Sequence, residues 1–505
     1  MKLSELFRGV AVERIDGDTE VEIAGISYDS RRTRPGDLFF SLARDRARNR
    51  TNLSDALRRG AHVVVVERWD EEIARPARTI VEAKRPRLLM GAAASRLFGE
   101  PSHRVNLIGI TGTSGKTSSS YLLSSIFEAA GRPAGIIGTI GIFVHGEKIY
   151  SGLTTPESVD FESSLARMER EGVRDAFAEV SSIGIAEARV DSLNFRAAMF
   201  TGFGRDHLDY HRDLEDYFAA KLRLFTELLP RSAHPDPIAV VHADDDWGRR
   251  VLEATTVRKL SFGLDNSMDA YPKRLEASLS GIRATLSVLG REIEISSPLV
   301  GELNLLNVLG ASLLSVALGI DVGAVVEGVA RCTGAPGRME VVPAKRGVIA
   351  IVDYAHKPDA LEGVLRAIRA LGAKRTICVF GCGGDRDRGK RPLMGAIAAR
   401  LADLPIVTSD NPRSENPMAI IEEIETGLCG AGLARISRDE EGRARGYLVE
   451  PDRRSAIALA LATAGDGDVV LIAGKGHEDY QLVGDRVLKF DDREVVRELA
   501  TGLGG

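Results

Sequence analysis

Scarcity narrows this chain before any motif is considered. Its 505 residues include only four cysteines, at 332, 378, 382 and 429. Cys378 and Cys382 are close, but no second pair accompanies them to complete a zinc site, so reduced cytosolic thiols are expected. No apolar run approaches the roughly 18 residues of a membrane-spanning helix. Met1–Arg8 carries charge on both sides of Leu3 and lacks a long apolar stretch, so it does not read as a signal peptide. Positive charge is not in excess: 67 Lys and Arg face 72 Asp and Glu, a net −5, with a pI near 6.1. No general affinity for nucleic acid follows from that balance. The expectation is a cytoplasmic protein with neither a membrane nor a nucleic acid as partner.

What is present is the composition of a globular protein, 44% hydrophobic and 28% charged, in a chain too long for one core. Two to four domains are expected. The first hundred residues read as a small α/β unit, with strands at Val21–Tyr28, Asp37–Leu42 and Val63–Glu67. Asp29–Arg32 reads as a turn more readily than a ligand loop, and the basic stretch Ala43–Thr51 as an exposed loop. A shift through Gly, Pro and Ser at Gly99–His103 marks a first boundary.

Beyond it, Gly109–Ser120 organises the chain. The apolar run Val105–Ile110 leads into a glycine turn, and a helical run follows from Ser118. Strand, glycine turn and helix form the layout of a phosphate-binding loop. Gly112 and Gly115 permit the tight turn, Lys116 reaches terminal phosphates, and the Thr117 hydroxyl suits Mg²⁺. The match to the full pattern is partial, because Ile110 stands where a first glycine belongs. Strands and helices alternate through about Thr333, which implies a parallel sheet with functional groups at its carboxyl edge. Glu179 closes one strand, as a carboxylate ligand for Mg²⁺ would. Arg205–His211 packs Arg, Asp and His into one loop. Lys221 falls on an amphipathic helix, Tyr217–Phe225, where exposure is the default; two cations facing each other over a phosphate loop would be exceptional.

Gly334–Arg338 reads as a hinge into a second α/β pattern. Four strands there each run into a polar cluster: Asp353–Pro358, Gly381–Arg388, Asp410–Arg413 and Gly474–Glu478. Four clusters in phase argue for one functional edge. Cys382 lies in one of them, but with no base nearby in sequence it is not read as a nucleophile.

Together these clusters resemble the Mur ligase family. The residues carrying the resemblance are Asp29-Ser-Arg31, Gly112–Ser118, Thr154–Glu157, Glu179–Ser182, Arg205–His211, Lys221, Gly301–Asn307, Pro336–Glu340, Asp353–His356, Gly383–Arg391, Asp410–Arg413 and Gly474–Glu478. That family's phosphate loop lacks the distant first glycine, which accounts for Ile110. The resemblance implies an α/β protein of three domains: a nucleotide-sugar-binding domain at 1–101, a central parallel-sheet ATPase domain at 102–333, and a Rossmann-like amino-acid-binding domain at 334–505. It implies a monomer acting on small molecules, using ATP and Mg²⁺. The expected reaction activates a carboxylate as an acyl phosphate and couples it to an amine, in cell-wall synthesis.

Site roles follow from the resemblance. Gly112, Thr113, Ser114, Gly115, Lys116, Thr117 and Ser118 would hold the phosphates, with Asn304, Arg338 and Asp353 as further nucleotide ligands. Thr117 and Glu179 would bind one Mg²⁺ and His207 a second. Lys221 would carry a carbamate derived from CO₂. Ser30, Thr154, Thr155, Ser181, Glu187 and Arg189 would face a UDP-muramoyl dipeptide. Arg386, Asp410, Asn411, Pro412, Arg413, Gly474 and Glu478 would hold the amino acid, and Arg413 would select meso-diaminopimelate through its distal carboxylate. Four features depart from the family pattern. Ile183 replaces a His, Glu187 replaces a Gln, Gly202–Gly204 replaces Asn-Leu-Ser, and Arg44–Asn52 replaces a glycine-rich turn. Most lie on the nucleotide-sugar side. The alternatives are therefore a paralogue with another acyl acceptor, a folate-chain ligase, which Asp410–Arg413 disfavours, and a non-catalytic ATP-binding homologue.

Overall fold

The computed structural model describes residues 1–43, 45–68, 77, 79–150, 152–345, 347–437 and 445–502. The chain is α/β throughout, with three main sheets of 5, 11 and 7 strands in sequence order. By contacts it divides into two compact units. The first comprises Met1–Tyr271, Ser287–Arg291 and Leu309–Gly328; the second comprises Pro272–Leu286, Glu292–Val308 and Val329–Gly505. Among the described residues no helix is long and apolar enough to cross a membrane.

The first sheet runs Arg14–Gly17, Thr79–Glu82, Val63–Val66, Asp37–Phe40, Gly25–Ser27. Val63–Val66 is four consecutive valines, all buried, as expected of a strand covered on both faces. Two expectations need correction here. Only Gly25–Ser27 of the Val21–Tyr28 segment is strand. The segment Ala43–Thr51 is mostly helix, not loop: Arg46–Arg58 is helical, capped by Asp45, which accepts from the Arg48 amide at 2.8 Å. Only Leu53 and Ala56 of that helix are buried, so its apolar signal is weak while its arginines stay in solvent. Arg44 lies outside the described residues.

In the 11-stranded sheet, Asn106–Thr111 is central. It pairs in parallel with Asp175–Glu179 on one side and Phe195–Phe200 on the other. The parallel run continues through Ile238–His242 and Arg258–Phe262 in one direction and Ala134–Gly138 in the other. The sheet is mixed rather than wholly parallel: Gly141–Val144 and Glu147–Tyr150 add antiparallel strands at one edge. The helix expected from Ser118 begins two residues earlier, as Lys116–Ala129.

In the 7-stranded sheet, Ile349–Asp353, Asp468–Ala473, Arg375–Phe380 and Leu404–Val407 are successive parallel neighbours. Their carboxyl ends therefore share one edge, so the four polar clusters of the sequence meet there. Side chains alternate by period two. Ile351, Cys378, Phe380 and Leu471 pack on one face with Leu361, Met394 and Ile421. Val352, Ile377, Val379 and Ile472 pack on the other with Ile457 and Val496.

Candidate active site

The strand Asn106–Thr111 delivers the chain into a loop that only glycine can begin. Gly112 has φ 151°, and a Cβ there would lie 2.1 Å from Thr201 Oγ1 and 3.0 Å from the Gly202 carbonyl oxygen. The left-handed Gly115, φ 87°, then opens the helix Lys116–Ala129. Its N-terminal amides and dipole face the turn, a ready anion site. Lys116 Nζ donates to the carbonyls of Gly112 at 2.8 Å and Thr113 at 3.1 Å. Thr113 anchors the neighbouring segment: its Oγ1 accepts from the Gly204 amide at 2.9 Å and lies 3.1 Å from the Tyr217 hydroxyl. The unusual Gly202–Gly204 stretch thus packs directly on the phosphate loop.

Lys221 is the exception rather than the default. It sits on the helix Leu214–Arg223, is only 1% exposed, and donates from Nζ to the Gly112 carbonyl at 2.8 Å. The Tyr217 ring lies 4.7 Å from the same nitrogen. Burial, and next the Lys116 charge, drive its pKa well below the ordinary lysine value, against a weaker opposing pull from Asp206. Two lysines therefore share one carbonyl, and the buried one is biased toward the neutral amine.

Glu179 ends its strand opposite Ile110 of the phosphate-loop strand. Its carboxylate accepts from the Thr139 amide and hydroxyl, both at 2.9 Å. Among the described residues no three His, Cys, Asp or Glu side chains converge as a metal cage. A Mg²⁺ that keeps waters and phosphate oxygens needs only one or two protein ligands. Glu179 and the Thr117 hydroxyl, both hard oxygen donors, fit that requirement, and Thr111 Oγ1, at the end of the strand that enters the loop, is buried with no hydrogen-bond partner among the described residues. His207 lies in a loop with φ 53°, its Nε2 3.6 Å from Asp206 Oδ2.

The residues assigned to the acyl acceptor converge, save one. Thr154 Oγ1 is 3.1 Å from Thr139 Oγ1. Thr155 Oγ1 donates to the Glu179 carbonyl at 2.8 Å and accepts from the Ser181 amide at 2.9 Å. Arg189 donates to the Thr155 carbonyl at 3.2 Å and to Glu157 at 3.1 Å. Glu187 accepts from Arg87 at 2.5 Å and from the Tyr210 hydroxyl at 2.6 Å. Ser30 instead lies in a short turn capped by Asp29; its flanking residues Tyr28 and Arg32 both reach Asp160.

In the second unit, Asn411, Lys475 and Glu478 form a closed triangle. Asn411 Nδ2 donates to Glu478 at 2.8 Å, and the buried Lys475 Nζ donates to both partners at 3.1 Å. Arg413, φ 53°, donates from Nη1 to the Gly384 carbonyl at 2.8 Å. Arg386 shares its surroundings: a Cβ on Gly383 would lie 2.9 Å from Arg413 Nη1 and 3.7 Å from Arg386 Cγ. The Pro412 carbonyl crowds Gly384 from the other side. At Gly474 the backbone passes so close to Asp410 that a Cβ would lie 2.5 Å from its Oδ2, and that buried oxygen has no hydrogen-bond partner among the described residues. Asp353 accepts from the Met339 amide at 2.7 Å; burial raises its pKa, against the Arg338 charge. Arg338 stacks 5.0 Å from the Tyr354 ring. Asn304 is held separately, donating to the Val300 carbonyl at 2.9 Å. Cys382 is buried, and burial pushes its thiol up to about 12, which disfavours the thiolate.

Three further residues support the site without a role assigned to them from the sequence. Arg87 bridges Glu157 and Glu187. His211 is buried between Ser182 Oγ at 3.0 Å and Asp216 at 3.3 Å; its place within Arg205–His211 was the available signal. Arg453, fully buried with Asp492, donates to the carbonyls of Ser409 at 3.3 Å and Ala473 at 3.1 Å, the residues just before Asp410 and Gly474. Nothing in the surrounding sequence distinguishes it from a surface helix arginine.

Known proteins match this chain over nearly its whole length. Residues 110–315 match the Mur ligase middle domain, and residues 337–476 match the Mur ligase, glutamate ligase domain. A relative from Geobacter sulfurreducens, named UDP-N-acetylmuramoyl-L-alanyl-D-glutamate–2,6-diaminopimelate ligase, is 42% identical over 98% of this chain and 97% of its own. One of the same name from Solibacter usitatus is 39% identical over 100% and 99%. A solved structure of a ligase of that name superposes with TM-score 0.70 at 30% identity, covering 100% of this chain and 99% of that one. The MurF structure from Acinetobacter baumannii, at 19% identity and TM-score 0.64 over 94% of this chain and 95% of its own, shares the fold.

Proposed function

This chain belongs to the Mur ligase family, and we propose that it joins meso-diaminopimelate to UDP-N-acetylmuramoyl-L-alanyl-D-glutamate in peptidoglycan synthesis. Membership makes it an ATP-dependent ligase that forms an amide bond. One observation carries the amino-acid assignment. Arg413 spends only Nη1 on the protein, and its Nε–Nη2 edge has no hydrogen-bond partner among the described residues. That edge is a fixed fork for a carboxylate. Meso-diaminopimelate has a distal carboxylate to fill it; L-lysine does not.

A carboxylate is a poor electrophile, so it is activated first. Its oxygen attacks the γ-phosphorus of ATP, the bridging P–O bond breaks, and ADP leaves. The amine nitrogen then attacks the acyl carbon, phosphate departs with the C–O electron pair, and the nitrogen gives up a proton. Positioning and charge neutralisation supply most of the rate. Lys116 and the amides of Gly112–Ser118 hold the phosphates. Thr117 and Glu179, with His207 for a second ion, would hold Mg²⁺, which would neutralise phosphate charge. Lys221 would carry a carbamate, formed when its Nζ adds CO₂ through an N–C bond and releases a proton. That addition needs the neutral amine, which its buried position favours. Asn304, Arg338 and Asp353 are nucleotide ligands on the strength of the resemblance.

Thr154, Thr155, Ser181, Glu187 and Arg189, with Ser30, serve the nucleotide-sugar acceptor. Arg386, Asp410–Arg413, Gly474 and Glu478 serve the diamino acid. Residues 1–101, 102–333 and 334–505 divide these tasks among nucleotide-sugar, ATP and amino-acid domains, in a cytoplasmic monomer. A paralogue with a different acyl acceptor is the second reading, favoured by the anionic Glu187 among the acceptor residues. The test is phosphate release from ATP and Mg²⁺ with the UDP-muramoyl dipeptide. Release with meso-diaminopimelate and not with L-lysine supports the first reading. No release with either amino acid, but release with another acceptor, supports the second. No release with any acceptor marks a non-catalytic homologue.

A further inference from the structure

Arg87 stands in the first turn of the helix Pro86–Leu97, far in sequence from every residue assigned above. Its guanidinium nevertheless meets two of the carboxylates around the acceptor group. Nε and Nη2 donate to Glu157 at 3.2 and 3.0 Å, and Nη1 donates to Glu187 at 2.5 Å. Glu157 in turn accepts from Arg189 at 3.1 Å. Arg87, Arg189, Glu157 and Glu187 therefore form a neutral quartet. The side chains are well shielded, from 26% exposed for Arg87 down to 6% for Glu157, so solvent does little to screen an imbalance.

We propose that Arg87 is a positioning residue for the anionic acceptor, cancelling the Glu187 charge and fixing Glu157 so that Arg189 stays aligned toward the substrate. The proposal rests on the acceptor assignment above. Without Arg87 the quartet carries a net negative charge beside a substrate that is itself an anion. Glu187 then repels what Arg189 attracts, and Glu157 loses the fork that holds it in place. The anion at position 187 is tolerated because its countercharge is supplied from a separate helix.

Steady-state kinetics of the full-length protein with UDP-N-acetylmuramoyl-L-alanyl-D-glutamate test this. Arg87→Met is expected to raise the acceptor KM by about ten-fold or more while the KM for ATP stays within about two-fold. Adding Glu187→Gln to Arg87→Met is expected to return the acceptor KM to within about three-fold of wild type, because the uncompensated anion is gone. Arg87→Lys, which keeps the charge but cannot span two carboxylates, is expected to raise the acceptor KM by about three-fold, and reads the same effect should the methionine variant fail to fold. An unchanged acceptor KM in the Lys variant and any folded Met variant, an equal rise in both KM values, or no rescue by Glu187→Gln overturns the proposal. A wild-type protein inactive on this acceptor overturns the functional reading, and this inference with it. An active wild type with indifferent Arg87 variants overturns the inference alone.

Discussion

Arg413→Ala separates recognition of diaminopimelate from general support of the amino-acid loop. The wild-type guanidinium has one engaged corner, Nη1 on the Gly384 carbonyl at 2.8 Å, and one edge without a partner among the described residues. Filling that edge with a carboxylate makes two charge-assisted hydrogen bonds, together about 3 kcal/mol after the cost of desolvation. At about 1.4 kcal/mol per decade, kcat/KM for meso-diaminopimelate should fall roughly 100- to 200-fold. The alanine variant also loses the bond to Gly384, and L-lysine measures that loss. Whatever turnover the wild type shows with lysine should change by less than about five-fold, because lysine never used the open edge. Arg413→Lys keeps a charge without a fork, and should recover less than half of the lost free energy. Initial rates of phosphate release with each amino acid supply all of these numbers. Equal losses for the two amino acids in the alanine variant would refute distal-carboxylate recognition, since the residue would then be bracing the loop alone.

Lys116→Ala should reduce phosphate release at least 1,000-fold, on the order of 4 kcal/mol of transition-state stabilisation; a fully active variant would remove the phosphate-loop assignment. Lys221→Ala should abolish turnover, with partial rescue by short carboxylates standing in for the carbamate, and normal activity would make Lys221 an ordinary helix lysine. Lys221 also bears on stability. Its folded pKa is depressed, so the unfolded chain binds the extra proton, and this residue's contribution rises with pH toward the unfolded lysine value. Lys221→Met should therefore stabilise the ligand-free protein at neutral pH, by about 1 kcal/mol; a clear loss of stability would contradict the burial argument. Glu162 gives the opposite case. Burial raises its carboxyl to about 8, so it stays protonated in the fold while the unfolded chain ionises near 4.5. Its contribution is fully present below about pH 4.5 and is lost as pH rises toward 8, by a few kcal/mol in order of magnitude. Glu162→Gln should flatten that decline in urea titrations at pH 5 and pH 8, and an unchanged slope would contradict the burial-raised carboxyl.

The phosphate loop was legible because strand, glycine turn and helix are contiguous, and each part has a local signature. The four polar clusters of the second α/β pattern were legible for the same reason. Their strands turn out to be neighbours, so a phase read in one dimension became a shared edge. Lys221 was not legible from its helix: exposure depends on what packs against the face, and here that is the phosphate loop 109 residues away. Arg87 and Glu187 are separated by 100 residues, and no periodicity reports such a pair. The helix Arg46–Arg58 was missed because it buries so little that an amphipathic pattern is almost absent, while its cap, Asp45, is a single residue. The antiparallel strands Gly141–Val144 and Glu147–Tyr150 are too short to stand out beside the longer alternation around them.

The most direct test of the central claim is the mass of the product. Purified protein is incubated with ATP, Mg²⁺, UDP-N-acetylmuramoyl-L-alanyl-D-glutamate and an equimolar mixture of meso-diaminopimelate and L-lysine, and the nucleotide-sugar pool is resolved by mass spectrometry. One new species is expected, the acceptor plus diaminopimelate less one water. A lysine adduct as the main product, or an unchanged acceptor while a control ligase consumes it, would contradict the account.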